Sequence, residues 1–265
     1  VKTILSLFDY TGSWSAPFAD AGHNVIQLDI KHDPEFADVR RFSCHHLLEV
    51  MGIDWVDAII AAPPCDSFTK SGAQYWPEKD RDGRTKASAH LVRQVLRCVD
   101  LYKPDWWVME NPAGRLSSVV PEAGKRVMYF HPCDFALWTN PSPADIAALD
   151  ALRAKPHDQI TPEDIQLVRR TNAYKKETGL WGSFTPPAVR GIEPVRVCSQ
   201  GSWLQKLGGK TAKTKEERSV TPEGFAAAFY AANEWTPARE AAFLAKREAD
   251  ENFIYEISPN EAHAA

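Results

Sequence analysis

The sequence predicts an α/β protein built on a doubly wound parallel sheet. Short apolar runs recur through the first 130 residues, helix-like segments separate them, and glycine or proline stands at the joins. The runs "TILSLFDY" (3–10), "NVIQLDI" (24–30), "VDAIIAA" (56–62) and "WWVME" (106–110) read as buried strands. Between them, "APFADAG" (16–22), "CHHLLEVMG" (44–52) and "SAHLVRQVLRCVDLYKP" (88–104) read as helices. In the last, Leu91, Val95, Cys98 and Leu101 share one helical face, and Pro104 ends the helix. Gly22 and Gly52 stand where helices commonly terminate. A sheet of this kind binds its ligands beyond the carboxyl ends of its strands, where the polar residues of this chain follow the apolar runs.

Past residue 130 the pattern changes. Ser142 and Pro143 open a surface helix over 142–155, and Thr161 and Pro162 repeat that start signal. An irregular basic and aromatic stretch runs to about Lys215. A helix over 221–235 follows, capped by Thr221, with Phe225, Phe229 and Ala232 on one face. The expected organisation is a catalytic domain over 1–130, a recognition lobe over 131–215, a returning helix over 216–235, and a charged tail over 236–265.

The 265 residues are 44% hydrophobic and 25% charged, with a net charge of −4, as expected of a soluble globular protein. No apolar run approaches the roughly 18 residues that suggest a membrane span. The opening residues lack a basic region followed by an apolar stretch, so a cytoplasmic location is expected. The five cysteines are scattered and odd in number, which fits reduced thiols. The modest acidity hides an asymmetry. Residues 165–220 carry eleven Lys or Arg against four Glu. Tyr174, Trp181, Phe184 and Trp203 are interleaved with that charge, a pattern that suits a nucleic-acid surface.

Three constellations carry chemistry. In "AAPPCDSFTKSG" (61–72), Pro63 and Pro64 end a strand and present Cys65 on a rigid turn at its carboxyl edge. In "VMENPAG" (108–114), Glu110 brings a carboxyl group to the same crevice, where burial favours the protonated form that can donate a hydrogen bond. In "LFDYTGSWSAPFADAG" (7–22), a strand, a turn at Gly12 and a helix suggest a nucleotide pocket. Phe8 would stack there on an adenine, and Asp29 at the end of the second strand would take ribose hydroxyls. Cys44, His45 and His46 have no second ligand pair at metal-site spacing. His131 and Cys133 read as packing and turn residues. Most of the nine tryptophans read as packing too, with Trp76 and Trp181 as the candidates for stacking on a base.

Taken together and in order, these pieces resemble the cytosine-5 DNA methyltransferases over about 1–130 and 217–235. The family's L-F-x-G-x-G-G-F, with a glycine eight residues on, is matched by Leu7, Phe8, Gly12, Trp14 and Gly22. Its P-P-C-Q-x-F-S-x-x-G is matched by Pro63, Pro64, Cys65, Phe68 and Gly72, with Thr69 for Ser. Its E-N-V becomes Glu110-Asn111-Pro112, and "ERSVTPEGFAAAF" is similar to its final G-N-S-V motif. The compact size looks most like members carried by bacteriophages.

The resemblance implies the Rossmann-like fold of S-adenosylmethionine-dependent methyltransferases with a small basic target-recognition lobe. It also implies a monomer acting on double-stranded DNA with a flipped base, RNA being the lesser alternative. Cys65 would be the nucleophile and Glu110 the group on the cytosine ring. Phe8, Tyr10, Gly12, Asp29, Asp38, Pro63, Arg218 and Ser219 would hold the donor, Asp38 at the adenine amino group, and no metal is implied. Residues 66–86, with Lys70, Gly72, Gly83 and Arg84, would form a lid over the base. The expected DNA contacts are Ser67, Lys70, Lys175, Lys176, Arg190, Lys206, Lys210 and Lys213, with affinity falling steeply as salt rises.

Three departures from the pattern matter. Tyr10 and Ser13 replace glycines, and the target-side Q-x-R-x-R survives only as "YKKETGLW", with Lys176 at its middle Arg and Thr178 at its last. Arg218 stands at the Asn beside the transferable methyl group, where a guanidinium facing a sulfonium costs roughly 1–4 kcal/mol at 4 Å. Arg218 either turns away to a phosphate or to Glu216 or Glu217, or it binds a carboxylate on the donor. The second option is a carboxymethyl transfer from carboxy-S-adenosylmethionine. A non-catalytic accessory that binds donor or nucleic acid is the reading from another class, as is a methyltransferase of small molecules or protein.

Overall fold

The computed structural model describes residues 1–32, 52–207, 211–242 and 245. Residues 44–51 of the expected helix at 44–52, Asp38, the Cys44-His45-His46 run and Lys210 lie outside those residues, as does the end of the tail. Residues 1–232 form one compact unit. Residues 233–265 form a second, of which 237–242 are helical.

Six strands make one sheet: β1 (Thr3–Leu7), β2 (Asn24–Leu28), β3 (Ala58–Ala61), β4 (Trp106–Pro112), β5 (Met128–Phe130) and β6 (Thr178–Ser183), in the order β2-β1-β3-β4-β6-β5. The first four are parallel, with Leu5 opposite both Ile26 and Ile59, and Ile60 opposite Val108. These are the four apolar runs of the sequence. Leu5, Leu7, Ile59, Ala61 and Met109 are wholly buried, as expected of strands covered on both faces.

The sheet is mixed rather than parallel throughout. β6 runs antiparallel to β4, with Glu110 opposite Leu180, and β5 runs antiparallel to β6. Neither strand was expected from the sequence. "TGLWGS" contains two glycines and so lacks a continuous apolar run. Gly182 is required, because its φ is +142° and a Cβ there would lie 2.1 Å from the Trp107 carbonyl oxygen. β6 thus lies in the stretch expected to be irregular and threads between β4 and β5.

The helices that matter for the site are α1 (Ala16–Asp20), α2 (Trp76–Arg81), α3 (Arg84–Tyr102), α4 (Leu116–Val119), α5 (Pro143–Arg153), α6 (Pro162–Arg170), α7 (Ala212–Ser219) and α8 (Glu223–Asn233). α3 packs Leu91, Val92, Val95 and Cys98 on the sheet, as expected. Its last contact, however, is Tyr102 rather than Leu101, which is exposed. Four residues rather than three carry the stripe onward from Cys98, and the Tyr102 hydroxyl donates to the Ile53 carbonyl at 2.7 Å. Ser142 and Thr161 cap α5 and α6 by accepting from the backbone N–H of Asp145 (3.1 Å) and Asp164 (3.3 Å).

A second core, with Leu149, Leu152, Val168, Tyr174, Val195, Val197 and Trp203, lies under α5 and α6. Tyr174, Trp181 and Trp203 are therefore interior residues, and the aromatic half of the expected nucleic-acid surface is packing instead. Trp181 sits in the main core and donates its indole N–H to Ser117 at 3.0 Å, which removes it as a base-stacking candidate. Trp76 remains half-buried under the Arg115 guanidinium, 4.6 Å from its ring.

Candidate active site

β1 leads outward to β2, and the chain then crosses back to place β3 on the other side of β1. The resulting switch point opens a crevice at the carboxyl ends of the strands. A cavity of about 340 Å³ occupies it. Phe8 to Thr11 enter from β1, Leu28 to Lys31 from β2, Ala62 to Cys65 from β3, and Glu110 and Pro112 from β4. Leu91 of α3, Lys176, and Arg218, Ser219 and Thr221 complete the wall.

The loop after β1 owes its shape to a buried carboxylate. Asp9 Oδ2 accepts from Ser6 Oγ at 2.9 Å and Ser15 Oγ at 3.0 Å, while the Gln27 amide donates to the carbonyls of Asp9 and Tyr10. This network holds the turn where Tyr10 and Ser13 stand in place of glycines. Gly12 turns the loop with φ +66° but does not border the cavity, so it acts through loop shape rather than by contact with a ligand. Phe8, Tyr10, Asp29, Pro63, Arg218 and Ser219 all border it.

Cys65 and Glu110 face the same space. The thiol is surrounded by protein although part of the residue reaches the surface. Burial, and next the Glu110 carboxylate, push its pKa up to about 11, against a smaller pull downward from Lys176. Burial likewise raises Glu110 above the ordinary carboxylate range, again opposed by Lys176. Lys176, expected at the middle Arg of the target-side motif and on a DNA phosphate, lines the cavity, because the turn into β6 carries it over the end of β4. It is a cation that acts on both Cys65 and Glu110.

Arg218 does not pair with its neighbours. Glu216 bridges to Lys31 at 2.9 Å and Glu217 approaches Arg169 at 3.9 Å, while Arg218 donates to the Leu204 carbonyl at 3.0 Å. Lys31 also stands over the Tyr10 ring at 3.8 Å.

Of the expected DNA contacts, Lys70, Lys175, Arg190 and Lys206 are exposed. Ser67 is not available to DNA: it is wholly buried, with Ser88 donating to its hydroxyl at 2.9 Å. Lys213 lies on α7. The segment expected as a lid is folded as a 3-10 turn (Lys70–Tyr75) running into α2 and α3. Among the described residues there is no cluster of metal-ligating side chains, and no helix is long and apolar enough to cross a membrane.

Residues 2–119, which contain β1 to β4 and the cavity residues they carry, match the family model described as C-5 cytosine-specific DNA methylase. The type II methyltransferase M1.HphI of Haemophilus parahaemolyticus is 28% identical over 157 residues, 49% of this chain and 40% of that protein. The type II methyltransferase M.AquIA of a Picosynechococcus species is 26% identical over 152 residues, 48% and 58% of the two chains. The chain thus spans about half the length of these curated relatives. Among solved structures, the Entamoeba histolytica methyltransferase EhMeth aligns with 80% of this chain and 61% of its own, at 12% identity and a TM-score of 0.39. Over residues 2–119, a little under half of its length, the chain is similar to the C-5 cytosine-specific DNA methylase family.

Proposed function

We propose that this protein is a DNA cytosine C5-methyltransferase, with Cys65 as nucleophile and Glu110 as the acid on the base. The observation that carries the proposal is the shared cavity: Cys65, Glu110 and the donor-side residues Phe8, Asp29 and Pro63 border one space. Its walls suit S-adenosylmethionine, with aromatic and aliphatic side chains for the adenine and Asp29 at the end of β2 for the ribose. When bound, that donor supplies an electrophilic methyl group and leaves as S-adenosylhomocysteine.

The protein's own groups do the rest. Cys65 gives its proton to solvent water and forms a bond from Sγ to C6 of the cytosine, and the C5–C6 π pair moves to C5, which becomes nucleophilic. Glu110, whose burial favours the protonated form, donates to the ring N3 and accepts from the exocyclic amine. After the methyl group joins C5, solvent water takes the C5 proton, the C5–C6 double bond re-forms, and Cys65 departs as thiolate. Lys176 favours that thiolate on departure and on attack, and its ammonium would meet the base oxygen. The base reaches the thiol only when flipped from the helix, at a cost of a few kcal/mol. Exposed Lys70, Lys175, Arg190 and Lys206 would hold phosphates.

Arg218 favours a second reading. It borders the cavity while Glu216 and Glu217 are engaged elsewhere. A cation there suits carboxy-S-adenosylmethionine, whose transferred group carries a carboxylate, and the product would be 5-carboxymethylcytosine. Nucleoside mass spectrometry of duplex DNA treated with each donor decides. A gain of one methyl with S-adenosylmethionine supports the first reading, and a faster gain of a carboxymethyl group supports the second. Neither product from wild-type protein would return the chain to a non-catalytic binding role.

A further inference from the structure

We infer that Arg115 is a positioning residue for Cys65, clamping the segment that follows the nucleophile onto the segment that follows Glu110. The inference deepens the proposed function and rests on it for its catalytic consequence, though the clamp itself is a matter of geometry. Arg115 lies five residues beyond Glu110, just past β4. Its Nε donates to the Ser67 carbonyl at 3.1 Å, two residues beyond Cys65. Its two Nη atoms form a bidentate pair with Asp80 of α2, at 2.9 and 2.7 Å, and Nη2 also donates to Thr85 Oγ1 of α3 at 3.0 Å. The flat face of the same guanidinium covers the Trp76 ring. One side chain therefore touches the cysteine loop, the first helix after it and the start of the second, and it does so from the segment that follows the strand carrying the acid.

The backbone repeats the connection. Lys70 N–H donates to the Ala113 carbonyl at 2.9 Å, Arg115 N–H donates to the Phe68 carbonyl at 3.0 Å, and Thr69 bridges to Gly114. No side chain fits between the two segments, since a Cβ on Gly114 would lie 1.9 Å from the Phe68 oxygen. On the far side, the ammonium of Lys79, buried on α2, donates to the Asp66 carbonyl. Arg115 is suited to this task because its planar fork satisfies several acceptors in fixed directions, which lysine cannot do. A thiol and a carboxyl group that must meet one heterocycle need this registration, since a misplacement of about 1 Å can cost a reaction roughly a hundredfold.

The test compares wild type with Arg115→Ala, Arg115→Lys and Asp80→Asn. The last changes a half-exposed carboxylate and keeps the test available if the arginine variants do not fold. Two rates are measured. Alkylation of Cys65 by iodoacetamide at pH 8, followed on its own tryptic peptide, should rise about tenfold in the three variants as the loop opens, with Cys198 unchanged as the remote control. Covalent trapping on a duplex containing 5-fluorocytosine should slow about 10- to 100-fold, with binding of S-adenosylhomocysteine unchanged. Alkylation of Cys65 at the wild-type rate in every variant would overturn the clamp. Trapping as fast as wild type would overturn its catalytic role while leaving the proposed function standing. A wild-type protein that forms no adduct would count against the proposed function instead, with the alkylation rates still judging the clamp.

Discussion

The raised pKa of Cys65 makes a quantitative prediction about its reactivity before substrate binds. A thiol with the ordinary value of 9.0 is about 10% thiolate at pH 8, whereas one pushed up to about 11 is about 0.1% thiolate, roughly a hundredfold less. Alkylation of Cys65 in the free protein should therefore be slow at pH 8 and should rise about tenfold per pH unit to beyond pH 10. The causes of the shift predict how variants move it. Glu110→Gln removes the second-largest cause of the rise and should speed alkylation at pH values where Glu110 is ionised; Lys176→Ala removes the opposing cation and should slow it. The assay is iodoacetamide labelling across pH, read by mass spectrometry of the Cys65 peptide, because Cys133 is also shifted to about 11 and total thiol loss would mix the two. An inflection at or below pH 9, or slower labelling in Glu110→Gln, would refute the reasoning. On the proposed function, the free thiol would be kept protonated until a base enters the cavity.

Three other outcomes follow from the same geometry. Gly114→Ala places a methyl group against the Phe68 carbonyl and should lower unfolding stability by about 1–3 kcal/mol in urea titration, along with activity; an unchanged midpoint would contradict the close approach. Arg115 holds Asp80 at about 2, so stability from this pair is present above the ordinary value of 3.8 and is lost as pH falls through about 2; acid melts of Asp80→Asn should lack that part of the fall, and identical acid profiles would contradict the pairing. Trp181→Ala should destabilise the protein by about 3–5 kcal/mol, with donor binding in the surviving fold unchanged; a stable variant with weakened DNA binding would restore the base-stacking role.

The cavity wall carried by β1 to β4 was largely legible because its residues are local to the strand ends. Strand ends, the Pro63-Pro64 stop and the acids after β2 and within β4 are written in consecutive residues, and β1 to β4 appear as apolar runs. The remainder depended on contacts between distant segments. β6 was hidden by Gly179 and Gly182, whose small size serves neighbours elsewhere in the chain. Its arrival beside β4 is what brings Lys176 to the cavity that Cys65 and Glu110 border. Ser67 carried the polarity of a surface residue but lies under α3, and the basic stretch contributed its aromatics to the interior. Arg115 drew no notice in the sequence because its partners, Ser67, Asp80 and Thr85, belong to another segment.

The most direct measurement is the mass of the protein after incubation with S-adenosylmethionine and a duplex bearing 5-fluorocytosine, where fluorine at C5 prevents the final elimination. A DNA adduct mapped to the Cys65 peptide, absent in Cys65→Ala, is the predicted result. An adduct on another residue, or one that persists in Cys65→Ala, would contradict the assignment of that sulfur as the attacking atom.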